Sequence, residues 1–126
     1  MKKHLDLSLV IPVWNEEESI EILINEIDQI LGQFIEYEII VIDDGSHDRT
    51  PAVLETLVGK FWRLRVIRHL QNSGKSIAIR NGVKAARAKW VLTLDGDGQN
   101  DPADILSLYR KLVNDEKGDP LLVVAG

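Results

Sequence analysis

Five short apolar runs, separated by segments with helical periodicity, constrain what this sequence can fold into more than any other feature. Leu7–Val13 (LSLVIPV) is almost unbroken, and Ile20, Leu23, Ile24, Ile27, Ile30, Leu31 and Phe34 recur behind it at helical spacing. Residues 37–42 (YEIIVI) are short and rich in β-branched side chains, after which Thr50 and Pro51 supply a helix N-cap and a first-turn proline. Residues 64–67 (LRVI) predict a third strand, and 76–88 an alanine-bearing helix. Residues 90–94 (WVLTL) predict a fourth strand, Asp101, Pro102 and Asp104 open a further helix, and residues 121–125 form a fifth strand. Strands that are apolar throughout, rather than at every second residue, belong to sheets buried on both faces. The expected fold class is therefore α/β: a Rossmann-like central parallel sheet of about five strands, helices on both faces, joined by right-handed crossovers. In such a sheet ligands bind outside the carboxyl ends of the strands, near the point where strand order reverses. The polar residues after strands one, two and four are thus the candidates for chemistry.

Composition narrows the classes further. At 126 residues the chain has the length of one domain, without internal repeat or linker. With 44% hydrophobic and 28% charged residues it can build a core, which excludes a disordered tail. The absence of cysteine removes disulfides, thiolate metal sites and cysteine nucleophiles, and makes the cytosolic side the default. A net charge of −5, with no Lys/Arg block, argues against nucleic acid as a partner but allows a local basic group for one phosphate. No apolar run approaches the roughly 18–20 residues that span a bilayer, and His4 and Asp6 interrupt the start too early for a signal peptide.

The strongest chemical constellation is Asp95-Gly96-Asp97, at the end of the fourth strand. Side chains two apart in extended chain point the same way, so both carboxylates can face one centre, while Gly96 and Gly98 leave room for a sharp turn and a close ligand. Two hard oxygen donors suit Mg²⁺ or Mn²⁺, which would share the phosphates of a nucleotide, and Gln99 can add a neutral oxygen. A glycine-rich turn alone does not account for the pair, because two facing carboxylates repel each other without a cation.

Asp43-Asp44-Gly45-Ser46 is the second such loop. Adjacent residues point oppositely, so one Asp is expected to face the cleft and the other to brace the loop or cap the next helix; a plain turn is the competing reading. After the first strand, Trp14 ends an apolar run and precedes a polar cluster, which suits a ring at the cleft mouth stacking on a nucleobase; packing under the helix is the alternative. Asn15 with Glu18 fits an N-cap and its partner three residues on. Lys75, beside the start of the third helix, suits a diphosphate. His69 stands where a P-loop needs its first glycine, so Gly74-Lys75-Ser76 is not a kinase or ATPase loop. His4, His47 and His69 read as surface or loop residues, and Trp62 and Trp90 as core.

Taken together, V-I-P-V-W-N-E-E, I-D-D-G-S-H-D-R-T, N-S-G-K-S-I-A-I-R-N-G and L-D-G-D-G-Q-N-D-P resemble the nucleotide-sugar-binding half of family 2 glycosyltransferases. The branch they resemble most contains dolichol-phosphate mannosyltransferases and bacterial polyprenyl-phosphate glycosyltransferases. The resemblance implies a GT-A fold. It matches Pro12, Trp14 and Glu16 to the base and ribose pocket, Asp44 to the acid that holds the base, with Asp43 its neighbour, and Asp95, Asp97 and Gln99 to the metal site. Lys75, Asp95 and Gly96 join the nucleotide-binding set. Trp14 replaces a more usual Tyr or Phe, and Gly96 a residue that is often Ala.

The implied reaction transfers a sugar, with inversion, from a nucleotide-diphosphate donor of the UDP or GDP type to a polyprenyl phosphate. A phosphate acceptor is already anionic and needs little general-base help, and no catalytic base is identified. Residues 1–126 are expected to be the donor-binding part of a longer transferase, truncated before its acceptor region, cytoplasmic and at the inner face of a membrane. Such a piece would bind nucleotide and transfer poorly. The rivals are a nucleotide-binding domain without catalysis and a response-regulator receiver, whose acid pair belongs after the first strand rather than the fourth.

Overall fold

A computed structural model of the chain describes residues 4–97, 101–114 and 122–124. The elements run β1 Leu7–Val13, α1 Ile20–Leu31, β2 Tyr37–Asp44, α2 Thr50–Lys60, β3 Leu64–His69, α3 Lys75–Ala85, β4 Trp90–Thr93, α4 Pro102–Asn114 and β5 Leu122–Val124. All five strands are parallel, in the order β3-β2-β1-β4-β5. This begins as the doubly wound dinucleotide-binding order does; a receiver domain follows 2-1-3-4-5. The topology thus removes the receiver rival and puts the order reversal between β1 and β4.

Why the strands are apolar on both faces follows from what covers them. Leu7, Leu9, Ile11 and Val13 point to one side, into a core with Ile20, Leu23, Ile24 and Ile27 of α1, Leu54 and Leu57 of α2, and Ile105 and Leu106 of α4. Val10, Ile40 and Ile42 point to the other, against Ala78 of α3. Each buried Leu or Ile contributes about 1.5–3 kcal/mol by leaving water. Gly82 lets α3 lie close on the sheet, because a Cβ there would run into Val10 and Ile42.

One expectation about connectivity fails. Helices α1 and α2 carry the chain outward from β1 to β3 on one face, and α3 carries it back to β4 on the other, so these connections share one hand. Helix α4 returns to the α1 face although the chain continues in the α3 direction, so the β4–α4–β5 connection has the opposite hand. The apolar stripe of α4, led by Ile105 and Leu106, places it there by packing into the α1 core.

At the amino ends of the strands a buried carboxylate ties the second face together. Glu38 is 5% exposed. Its Oε2 accepts hydrogen bonds from Ser8 Oγ at 2.6 Å and the Arg87 N–H at 2.7 Å, and its Oε1 accepts from Arg65 Nε and Nη2 at 3.1 and 2.7 Å. Burial by itself would raise the Glu38 carboxyl, but the bonds from Ser8, Arg87 and Arg65, with the Arg65 charge, hold it below its ordinary value. A carboxyl depressed by folding stabilises fully above its unfolded pKa, and that stabilisation is lost as pH falls through the folded value. Stability should therefore decline as pH drops below roughly 4. Glu38→Gln should lower it by about 2 kcal/mol at neutral pH and flatten that acid limb, checked by urea unfolding between pH 7 and pH 3.

Candidate functional site

Beyond the carboxyl ends of β1 and β4, at the order reversal, lies a cavity of about 350 Å³ lined by Pro12, Val13, Trp14, Glu16, Asp44, Asn72, Gly74, Lys75, Asp95, Gly96 and Asp97. Seven of the eight sequence-predicted nucleotide residues meet there: Pro12, Trp14, Glu16, Asp44, Lys75, Asp95 and Gly96. So does Asp97, while Gln99 lies outside the described residues.

Asp43 is the exception. It pairs in register with Val13, whose side chain packs into the core under α1, so Asp43 turns to that face and does not line the cavity. There its Oδ1 accepts from the Ser46 N–H at 3.1 Å, its Oδ2 is buried without a hydrogen-bond partner, and it borders a separate pocket with Pro51 and Arg68. The opposite orientation of neighbouring strand residues, expected from the sequence, thus assigns the cleft to Asp44 alone.

Asp44 is 4% exposed and fixes the loop before α3. Its Oδ1 accepts from the Ser73 N–H at 2.9 Å and from His69 Nδ1 at 2.8 Å, and its Oδ2 from the Gly74 N–H at 2.8 Å. Burial pushes this carboxyl up, but those bonds and the His69 ring outweigh it and hold it below its ordinary value. A carboxylate has about four acceptor sites, so Oδ2 keeps capacity for a ligand donor. The tight packing of these two loops is why Gly45 is glycine: φ is +77°, and a Cβ would lie 2.6 Å from the Asn72 nitrogen.

The loop after β1 is tied to the loop after β2. Asn15, at φ 53°, donates its N–H to Ser46 Oγ at 2.9 Å and accepts from the His47 N–H at 2.8 Å. It is a bridge between loops and not the expected N-cap; α1 begins later, after Ser19. The Glu16 N–H donates to Thr50 Oγ1 at 2.9 Å, and Ser19 Oγ reaches both Glu16 Oε2 and the Gly96 carbonyl at 2.9 Å. Gly96 sits against Val13: a Cβ would collide with Val13 Cγ1. The smallest residue is therefore required by packing here, a stricter condition than the tolerance the sequence suggested.

Lys75, the first residue of α3, forms an ion pair with Asp95 across the cavity. Among the lining residues, four carboxylates (Glu16, Asp44, Asp95 and Asp97) face this single ammonium. Trp14 is 48% exposed at the rim, where its ring is available to a ligand. Two other aromatic and histidine readings need correction. Trp90 is core, but Trp62 is 65% exposed in the turn before β3, with the Arg63 guanidinium 4.5 Å from its ring. His69 is not a loop residue: it ends β3 in register with Asp44, and its side chain is 14% exposed. Its position is visible only once β2 and β3 are known to be neighbours.

A family model described as glycosyl transferase family 2 matches residues 8–124. The chain is 37% identical over 110 residues to the dodecaprenyl-phosphate galacturonate synthase of Rhizobium johnstonii, covering 86% of this chain and 32% of that protein. It is 36% identical to the dolichol-phosphate mannosyltransferase of Pyrococcus furiosus, covering 87% and 31%. The chain thus spans about a third of the length of these relatives. Among solved structures, S. aureus TarS 1–349 in complex with UDP-GlcNAc superposes with a TM-score of 0.73 at 26% identity, over 88% of this chain and 32% of that one. The mannosyltransferase PcManGT of Pyrobaculum calidifontis, in complex with GDP-Man and Mn²⁺, gives 0.72 at 23% identity, over 90% and 34%, a likeness of fold. The sheet and its order reversal are accordingly those of a GT-A glycosyltransferase, and the chain belongs to glycosyl transferase family 2.

Proposed function

We propose that this chain forms the donor site of a metal-dependent, inverting glycosyltransferase that moves a sugar from a nucleotide diphosphate to a polyprenyl phosphate. The observation that carries the reading is the charge of the cavity. Four carboxylates and one ammonium line it, so a cation there would ease the approach of an anionic diphosphate. Asp95 and Asp97 both line the cavity, and Mg²⁺ or Mn²⁺ typically takes one or two carboxylates, with substrate phosphates and water completing its shell. When bound, such a cation offsets the charge that develops on the departing nucleoside diphosphate.

The remaining roles belong to the chain. Trp14 offers a ring face for the base, and Pro12 and Glu16 border it; Asp44 keeps an acceptor for the base or ribose. Lys75 holds a partly exposed ion pair, worth less than about 1 kcal/mol, and can exchange Asp95 for a phosphate oxygen. The names of the two polyprenyl-type relatives support a lipid-phosphate acceptor, whose anionic oxygen attacks without a general base. The proposed setting is the cytoplasmic face of a membrane; among the described residues no helix is long and apolar enough to cross one.

Calorimetric titration of UDP and of GDP, with Mn²⁺ and again with EDTA, tests this reading. One nucleotide should bind with the metal and lose at least about tenfold in affinity with EDTA or in Asp97→Ala, about 1.4 kcal/mol. Binding that ignores both changes, or no binding of either nucleotide, would contradict it. Trp14→Ala should weaken nucleotide binding by about 1–3 kcal/mol while leaving the unfolding midpoint within about 0.5 kcal/mol of the parent, because the ring is half exposed.

A further inference from the structure

We propose that His69 is a positioning residue of this site, holding Asp44 so that the turn through Ser73 presents Asn72, Gly74 and Lys75 as one wall of the cavity; the proposal rests on the donor-site reading. His69 touches no cavity ligand itself. Its imidazole lies on the sheet face covered by α3 and uses both nitrogens: Nδ1 is 2.8 Å from Asp44 Oδ1, and Nε2 is 2.9 Å from Asn81 Nδ2 on α3. With Nδ1 donating to the carboxylate and Nε2 accepting from the Asn81 amide, the Nδ1–H form satisfies both contacts. Asp44 in turn receives the Ser73 and Gly74 N–H groups. These amides lead directly into α3, whose first residue, Lys75, faces Asp95.

The arrangement is a chain of partly buried contacts from α3, through the ring, to the turn that starts α3. Gly74 stands at φ +98°, a shape open to glycine, and its N–H and that of Ser73 are both held by Asp44. Asp44 is the pin, and it shares Oδ1 between the Ser73 amide and the imidazole. Removing the ring would leave the carboxylate free to turn about its own bonds and loosen both amides. Losing one hydrogen bond to a charged group is enough to alter the wall's population in its binding shape by about tenfold.

Hydrogen exchange and calorimetry on the 126-residue chain test this. In His69→Ala the Ser73 and Gly74 amides should exchange about tenfold faster, and affinity for the nucleotide with Mn²⁺ should fall by about the same factor. Exchange within β1 and β2 should stay unchanged. His69→Asn, which keeps a short N–H donor toward Asp44, should restore most of both, and the wild-type ring should show the Nδ1–H form in its ¹⁵N spectrum. Wild-type exchange and affinity in His69→Ala would overturn the proposal. So would equal losses in His69→Ala and His69→Asn that follow melting temperature, or a ring protonated on Nε2 alone. Failure of the unsubstituted chain to bind nucleotide would overturn the donor-site reading instead, and the exchange data would still decide whether His69 holds the turn.

Discussion

A parallel sheet covered on both faces leaves few places for charge, and the rest of this structure depends on that constraint. Every residue of β2 is buried, including Asp43 and Asp44 at its end. A carboxylate inside such a sheet must be hydrogen-bonded or lose several kcal/mol. Glu38 meets the demand at the amino ends of the strands, with Ser8, Arg65 and the Arg87 amide. Asp44 meets it at the carboxyl ends, with two backbone amides and a histidine. One cluster closes the bottom of the α3 face, and the other shapes the wall of the cavity above it.

The cavity is built by loops that hold one another. Asn15 and Glu16 bind the loop after β2, Asp44 binds the loop before α3, and Ser19 reaches the Gly96 carbonyl after β4. Loops interlocked by hydrogen bonds between side chains and backbone can present several carboxylates together without collapsing or splaying. In the proposed reading, that concentration of negative charge favours a diphosphate accompanied by a cation over a bare one.

Most of the fold was legible because it rests on local pattern. The LSLVIPV run has the observed bounds of β1, and of the residues at helical spacing behind it Ile20, Leu23, Ile24, Ile27 and Leu31 are buried in α1, whereas Ile30 is half-buried and Phe34 lies beyond the helix, exposed. β2 and β3 each run two residues further than their apolar stretches, since the ladder continues through Asp43 and Asp44 opposite Arg68 and His69. Single-residue readings failed where tertiary partners decide the role. Asn15 resembles an N-cap until the β2 loop supplies its partners; His69 resembles a loop residue until β2 lies beside it. Trp62 is apolar by type, but its place in a turn beside Arg63 leaves it outside the core. The site residues were legible as a set because they follow strand ends, whereas the choice between Asp43 and Asp44 required the register.

The central claim is that a divalent cation and a nucleotide meet at the order reversal between β1 and β4. Paramagnetic broadening by Mn²⁺, added at substoichiometric levels with UDP or GDP to isotope-labelled chain, reads that location directly. The account predicts that the amides of Trp14, Gly74, Gly96 and Asp97 disappear first, while those of Glu38 and Arg87, at the other end of the sheet, persist. Broadening centred elsewhere, or spread evenly over the acidic surface with no dependence on nucleotide, would contradict it.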